Sequence, residues 1–390
     1  PAAMAWLWKD HTSHAEANEI TELAKQKRPQ YLGRCGGVYS SEWFWAKLLR
    51  AAREVPEVFD AAATWVEIAD WIPAILTGNE KPDLIQRGYC AAGHKAMFHD
   101  SWGGYPDEEF LGELDPRLAR VRKTLPSKAH SIAEKAGHLT EDWAKELGLK
   151  AGIPVAVGAF DAHLGAVGSG IEKGTLVKIM GTSTCDIMVA PLSDDLPEIP
   201  GLCGVVPESV LPSHYGLEAG QSAVGDIFNW FVQVMKPDRL DHDILTERAE
   251  ELKPGQSGLL SLDWHNGNRT ILVDQRLSGM LLGMNLQTSP EEVYRALIEA
   301  TAFGARAIME RLEEYGVMVN QIVTCGGISK KNKLLLQIYA DVLNRPIYLS
   351  GSSQTCALGA AMAGAVVAGK EAGGYDNFAN ATRAMTHLQP

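Results

Sequence analysis

The apolar residues in the first part of the chain recur at helical spacing. Within 41–53, Trp45 and Leu49 fall on the same face, which predicts an amphipathic helix. A second helix is predicted over 131–147, because Gly148 supplies the left-handed cap that commonly ends a helix. The first part of the chain is therefore expected to be rich in helices.

A different spacing begins after residue 150. The β-branched run 153–158 predicts a buried strand, and Asp161 follows shortly after it. Ligands of open α/β sheets gather outside the carboxyl ends of the strands, so Asp161 occupies a position where chemistry is expected. Segments 175–180 and 185–189 alternate between apolar and polar residues, which predicts a hairpin.

Helices and strands are predicted to alternate in the rest of the chain. The helix signal is clearest at 290–315, where Ser289 fits an N-cap and Pro290 the first helical position. The other predicted elements are strands 320–325 and 346–349 and helices 330–343 and 354–369. This alternation is typical of an α/β fold.

The length and the change of pattern together predict two domains. A chain of 390 residues, 46% of them hydrophobic, is long enough to bury two cores. The helix-rich pattern gives way to hairpins near residue 169. We therefore predict a first domain over 1–169 and a second domain over 170–390.

The composition excludes some classes of function. A formal net charge of −12 argues against a nucleic-acid partner, because phosphate neutralisation requires a basic face. The six cysteines show no C-x-x-C pair and no zinc spacing with histidine, which suits a reducing compartment and favours the cytosol. The longest nonpolar run, 357–368, is too short for a membrane span and predicts a packed core helix.

Two glycine turns are candidates for nucleotide binding. In the turn at Gly181-Thr182, backbone amides can point at phosphate oxygens, and the threonine hydroxyl adds a donor. At Gly326-Gly327, between a strand and a helix, bare backbone can lie against a flat ligand. Each signal is weak alone, since most Gly-Thr-Ser turns are plain hairpins and Gly-Gly is common in ordinary turns.

Asp161 is the candidate catalytic residue. A carboxylate in this position can accept the proton of a substrate hydroxyl, and it can hold Mg²⁺ through a water molecule. A single aspartate in a loop more often serves as a helix cap or a turn residue. The residue itself does not decide between these roles.

Several segments together resemble the FGGY carbohydrate kinases. Residues 279–284, followed by the helix that contains 292–299, match a signature of that family in spacing. The resemblance implies an actin/hexokinase-like (ribonuclease H-like) α/β fold of two domains, with ATP and a sugar bound in the cleft between them. It also implies nucleotide-binding roles for Gly181, Thr182, Gly220, Gly326, Gly327 and Asn332.

Further segments resemble the L-ribulokinases within this family. They are 7–12, 36–43, 93–95, 158–163, 218–222 and 272–276. This resemblance implies that Mg²⁺ and ATP are used to phosphorylate L-ribulose at its 5-hydroxyl, with Asp161 as the base. It further implies that Lys95 and Glu218 bind the sugar hydroxyls and that Trp8 packs against the carbon face of the sugar. Without the resemblance, these three would be interpreted as a solvated lysine, a surface acid and a core indole.

Two alternative functions stay open. The chain could be another FGGY kinase, acting on xylulose, rhamnulose or glycerol, or a non-catalytic nucleotide-binding module similar to actin. The polar wall of Lys95, Glu218 and Asp161 favours a kinase, because a pure ATP switch has no need of it. The resemblance allows a homodimer, although the sequence does not determine the oligomeric state.

The FGGY kinases also carry an Asp-x-Gly-Thr-x-Ser turn near the N-terminus that holds the nucleotide phosphates. This pattern is not found in the chain, which begins at Pro1. We expect the sequence to be a piece that lacks the first part of domain one and a short C-terminal tail. On this expectation the 390 residues alone would show no measurable kinase activity.

Overall fold

The computed structural model describes residues 5–8, 10–236, 239–329 and 331–389. The first part of the chain is mainly helical and contributes a small two-stranded sheet. Its helices are α1 (His14–Lys27), α2 (Gln30–Gly33), α3 (Phe44–Glu54), α4 (Pro56–Ala61), α5 (Ile68–Thr77), α6 (Tyr89–Ala96), α7 (Glu108–Leu114), α8 (Pro116–Arg122), α9 (Glu141–Leu147) and α10 (Asp161–Gly168), and its strands are β1 (Lys135–His138) and β2 (Pro154–Ala156).

The second part alternates strands with helices, as the sequence predicts. Its strands are β3 (Thr175–Met180), β4 (Thr184–Pro191), β5 (Gly204–Pro207), β6 (His214–Ala219), β7 (Leu260–Leu262), β8 (Met280–Leu282), β9 (Gln321–Cys325), β10 (Ile347–Ser350) and β11 (Leu388–Gln389). Its helices are α11 (Gly225–Trp230), α12 (His242–Glu250), α13 (Pro290–Glu314), α14 (Lys333–Leu343), α15 (Thr355–Ala368) and α16 (Phe378–Met385).

Seven of these strands form one mixed sheet in the order β11-β10-β9-β3-β4-β6-β5. Strand β9 is parallel to both β3 and β10, whereas β4 is antiparallel to both β3 and β6. Consequently β3, β6, β9 and β10 all run in the same direction, and their carboxyl ends meet at one edge. In an α/β sheet this is the edge where ligands bind.

Helices cover both faces of the sheet. Because side chains alternate along a strand, Leu176 of β3 packs in a core with α13 and α14, while its neighbour Val177 packs in a second core with α10 and α15. The helical first part has a separate core, built around Trp45 and Leu49. The predicted apolar face of α3 is therefore confirmed.

Helices α10 and α15 cross at very short distance, and two glycines permit it. A Cβ placed on Gly168 would lie 2.0 Å from the Thr355 carbonyl oxygen, and one on Gly359 would lie 1.9 Å from the Leu164 carbonyl oxygen. Any larger residue would push the helices apart. The contact fixes α10, and with it the Asp161 end of that helix, against the second part of the chain.

Local signals located most elements well, with one error. The capping box of Ser289 and Glu292 opens α13, and Gly148 closes α9 with a φ of +67°. The helix predicted over 131–147 is wrong in its first half, because Lys135–His138 forms β1 and pairs with β2. A new helix then begins behind Thr140, whose hydroxyl accepts a hydrogen bond from the Trp143 amide.

No helix in the described ranges is long and apolar enough to cross a membrane.

Candidate active site

Three loop segments converge at the shared edge of the sheet. The Gly181 and Thr182 carbonyls, in the turn between β3 and β4, accept hydrogen bonds from the amides that open α11. The Gly225 amide donates to Gly181 O at 3.1 Å, and the Val224 amide donates to Thr182 O at 2.8 Å. These bonds tie the β3–β4 turn to the loop that follows β6.

The third segment is the turn between β9 and α14. Gly326 has a φ of +102°, a region that residues with a side chain rarely adopt, and an added Cβ would lie 2.2 Å from the Met180 carbonyl oxygen. Gly327 differs, since an added Cβ would meet no atom within 4 Å. The backbone of this turn therefore lies directly against the end of β3, with open space beside Gly327.

Two of the predicted nucleotide-binding glycines use their amides within the protein. The Gly181 amide donates to the Ser183 carbonyl at 2.9 Å, and the Gly220 amide donates to the Thr270 hydroxyl at 2.9 Å. Thr182, the residue after Gly181, is exposed. Because the Gly181 amide is already hydrogen-bonded, a phosphate at this turn would contact Thr182 more readily than the Gly181 amide.

Asn332 serves as the N-cap of α14. Its side-chain oxygen accepts the Leu335 amide at 2.9 Å, and its amide group donates to the Thr246 hydroxyl at 3.3 Å. These bonds give Asn332 a structural function whether or not it contacts a nucleotide. Its neighbour Lys330, part of the same glycine-turn segment, lies outside the described residues.

Asp161 is the first residue of α10 and is exposed to solvent. One carboxylate oxygen accepts the backbone amide of Ala162 at 2.8 Å, which leaves the second oxygen available. The Cys356 thiol lies within electrostatic range of both Asp161 and Cys325, the last residue of β9. Burial raises the pKa of this thiol, and Asp161 and Cys325 both add to the rise. Asp161 is therefore within electrostatic range of a residue that adjoins the end of β9.

Lys95 lies on α6 and is half-buried between two aromatic rings. Its Nζ lies 5.4 Å from the ring centre of Phe160, the residue before Asp161, and 5.9 Å from that of Trp43. A cation held over aromatic faces is attracted to them, so the lysine has a defined direction before any ligand binds.

Glu218, on β6, is 5% exposed and lies in a cluster of polar groups. Arg269 donates a hydrogen bond to its Oε1. Its Oε2 lies 3.5 Å from His94 Nδ1 and 3.7 Å from His163 Nε2. Burial alone would raise the pKa of Glu218, but Arg269 and Lys95 outweigh burial and hold this pKa well below its ordinary value. The carboxylate is therefore ionised.

The sequence analysis did not find Arg269, because it belongs to none of the segments that carry the resemblance. His163 lies buried beside His94, with the ring centres 4.6 Å apart. Burial lowers the pKa of both imidazoles, to about 3 for His94. In the sequence, His94, His163 and Glu218 each lie in a segment that resembles the L-ribulokinases, and this is the signal that could have pointed to the cluster.

Trp8 lies at the protein surface, ahead of α1. Its side chain is 55% exposed, and its carbonyl accepts a hydrogen bond from Lys47 Nζ at 3.4 Å. Among the described residues, no ring or cation contact joins the Trp8 indole to Lys95. The role of Trp8 at a sugar stays a prediction, and the adjoining Lys9 lies outside the described residues.

Comparison with known proteins identifies the family. The N-terminal domain model of the FGGY family of carbohydrate kinases matches residues 1–168, and the C-terminal domain model matches residues 176–368. The described fold is accordingly the actin/hexokinase-like α/β fold of sugar kinases.

Curated relatives and solved structures agree with this match. The chain is 44% identical over 401 residues to a ribulokinase of Bacillus licheniformis, covering 100% of the chain and 71% of the relative. It is 45% identical over 401 residues to a ribulokinase of Halalkalibacterium halodurans, covering 100% and 70%. The structure of a xylulose kinase from Rhodospirillum rubrum superposes with a TM-score of 0.79 at 26% identity, covering 96% of this chain and 72% of that one. The chain belongs to the FGGY family of carbohydrate kinases.

Proposed function

We propose that this protein transfers the γ-phosphoryl group of ATP to L-ribulose and forms L-ribulose 5-phosphate. The proposal is supported by the similarity to ribulokinases over the whole chain. The observation that carries it is the polar wall, in which Lys95, Asp161 and Glu218 come from three different elements and lie near one another. A sugar offers several hydroxyls, and a wall of charged groups of both signs can bind them in a defined orientation.

In the proposed reaction Asp161 acts as the general base. Its exposed carboxylate accepts the proton of the 5-hydroxyl as that oxygen attacks the γ-phosphorus. Lys95 can only donate hydrogen bonds to sugar oxygens, while ionised Glu218 can only accept them from sugar hydroxyls, so the two make complementary contacts with the sugar. This division of roles orients one hydroxyl toward Asp161.

The nucleotide is proposed to lie along the three converging turns. The open space beside Gly327 suits a flat base, and the exposed Thr182 hydroxyl suits a phosphate oxygen. The available oxygen of Asp161 is the hard ligand that Mg²⁺ prefers, directly or through water. When bound, Mg²⁺ would neutralise charge on the transferring phosphates. The cytosolic location and the homodimer stay predictions.

A substrate panel tests the proposal. The complete gene product would be supplied with ATP, Mg²⁺ and, in turn, L-ribulose, D-xylulose, L-rhamnulose and glycerol, while the release of ADP is followed. We expect kcat/KM to be highest for L-ribulose. A higher value for another substrate would assign the protein to a different sugar kinase, and ATP turnover that no sugar stimulates would favour the actin-like alternative.

A further inference from the structure

The cluster around Glu218 contains three metal-ligating atoms that face one another. They come from His94, His163 and Glu218, one atom from each side chain, and all lie within 4.8 Å of each other. Each of these side chains is almost completely buried. Neither imidazole forms a hydrogen bond with the carboxylate, since the separations of 3.5 and 3.7 Å are too long for one.

The Ser209 hydroxyl holds the His94 ring through Nε2. That nitrogen lies 3.0 Å from the hydroxyl, which also lies 3.1 Å from the Val206 carbonyl oxygen. Nδ1 has no hydrogen-bond partner among the described residues, and it offers a lone pair to a ligand when the ring proton is on Nε2. Gly204 makes room for this atom, because a Cβ there would lie 2.1 Å from Nδ1.

Buried polar atoms without a hydrogen-bond partner thus meet beside Glu218. Nδ1 of His94 and both ring nitrogens of His163 lack a partner among the described residues, and Oε2 of Glu218 lies 3.5 Å from His94 Nδ1 and 3.7 Å from His163 Nε2. Leaving buried polar groups without a partner is unfavourable. The arrangement calls for an electropositive occupant that all three side chains can share.

We propose that His94, His163 and Glu218 bind a divalent transition-metal ion, with Zn²⁺ as the best match. Two imidazoles and one carboxylate are a ligand set of zinc sites with an open fourth position. Ligand atoms about 2.1 Å from a tetrahedral ion lie about 3.4 Å from one another, close to the observed separations of 3.5 and 3.7 Å. The Ser209 hydroxyl orients the first imidazole as an outer partner typically does.

The surrounding charges are compatible with a cation. Arg269 occupies Oε1 of Glu218, so Oε2 alone is directed to the imidazoles. Around His163, the positive charges of Lys95 and Arg269 are opposed by the carboxylates of Glu218 and Asp161, and Glu42 lies within electrostatic range of Arg269. The ion therefore does not enter a site of uncompensated positive charge.

The position of the site gives the ion a consequence for the fold. His94 and His163 lie in the range matched by the N-terminal family domain, whereas Glu218 lies in the range matched by the C-terminal domain. A bound ion would join the two domains beside the cleft. The ion would also compete with sugar hydroxyls for Glu218, a consequence that rests on the proposed function.

Metal binding can be measured directly on the complete gene product, freed of metal and without ATP or sugar. We expect calorimetric titration with Zn²⁺ to show one ion bound per chain, and Co²⁺ to give the visible bands of a four-coordinate nitrogen and oxygen site. The thiols of Cys90, Cys185 and Cys203 lie within electrostatic range of Glu218. An intense thiolate charge-transfer band would therefore assign the ion to cysteine and overturn the proposal.

Variants identify the ligands. Ser209→Ala should weaken Zn²⁺ binding by about 10–100-fold, and His163→Gln should weaken it more, because it removes a ligand and not an outer partner. The control is His138→Gln, which changes an exposed histidine on β1. Absence of Zn²⁺ binding in the wild type, or unchanged binding in His163→Gln, would overturn the proposal. If His163→Gln does not fold, the wild-type Co²⁺ spectrum still decides between the two sets of ligands.

Discussion

Replacing Gly326 by alanine tests whether the turn after β9 is held where the structure places it. The φ of +102° is unfavourable for alanine, and strain of this kind costs about 1–3 kcal/mol. The new methyl group would also lie 2.2 Å from the Met180 carbonyl oxygen, which is backbone and cannot rotate away. We therefore expect Gly326→Ala to lower the free energy of unfolding by at least about 1–3 kcal/mol.

The same substitution should weaken ATP binding. Relief of the clash must move the turn after β9, the end of β3, or both. The proposed nucleotide site includes both the turn after β9 and the turn after β3. A loss of about 1.4 kcal/mol of binding free energy corresponds to a tenfold rise in the dissociation constant. KM for ATP and KM for L-ribulose would be measured with a coupled ADP assay, and unfolding with urea. KM for L-ribulose should change little.

Gly327→Ala is the matched control at the next residue. Its methyl group meets no protein atom within 4 Å, so the free energy of unfolding should stay within about 0.5 kcal/mol of the wild type. A rise in KM for ATP in this variant would then report direct contact with the nucleotide. The geometric reasoning is refuted if Gly326→Ala unfolds like the wild type. The nucleotide assignment is refuted if both variants keep the wild-type KM for ATP.

Three further predictions concern the sugar wall, a buried ion pair and a buried acid. Lys95→Ala and Glu218→Gln should each raise KM for the sugar, because each loses hydrogen bonds worth about 1–3 kcal/mol of binding free energy. KM for ATP should be nearly unchanged. A fall in ATP affinity instead would place these residues on the nucleotide side of the site. The Asp186 carboxylate is fully buried and lies 2.6 Å from Lys178 Nζ. Lys178→Met removes this counter-ion, so the free energy of unfolding, measured with urea, should fall by about 3–5 kcal/mol. A fall of less than about 1 kcal/mol would contradict a buried ion pair. Burial raises the pKa of Asp70 from 3.8 to about 7. The folded state therefore binds this proton more tightly than the unfolded state, and the free energy of unfolding should decline as the pH rises between these two values. Asp70→Asn should reduce this decline when urea midpoints are measured against pH, and an unchanged pH dependence would disprove the raised pKa.

The elements specified by local signals were predictable from the sequence. Helix α13 begins at Pro290 behind Ser289 because the cap and the acidic first turn act within a few residues of one another. The end of α9 at Gly148 has the same local cause. The error at 135–138 arose because pairing with the strand at 154–156 outweighs the local helix propensity. The residues next to 135–138 in the sequence carry no signal for this pairing.

The site was predictable only in part. Position after a strand predicted Asp161, resemblance to family segments predicted Lys95 and Glu218, and the structure brings the three within electrostatic range of His163, while their roles stay predictions. The environment of Glu218 could not be predicted, since Arg269 and His163 lie in other segments and meet it only through the sheet and the packing of α10. The sequence likewise gave no reason to expect that the Gly181 amide is already bonded within its own turn.

The turnover of Asp161→Asn tests the central claim most directly. In the complete gene product, with saturating ATP, Mg²⁺ and L-ribulose, the substitution keeps the size of the side chain but removes its ability to accept the sugar proton. If Asp161 is the general base, kcat should fall by roughly 10²–10⁴-fold while sugar affinity falls much less. A variant that retains more than half of the wild-type kcat would contradict the account.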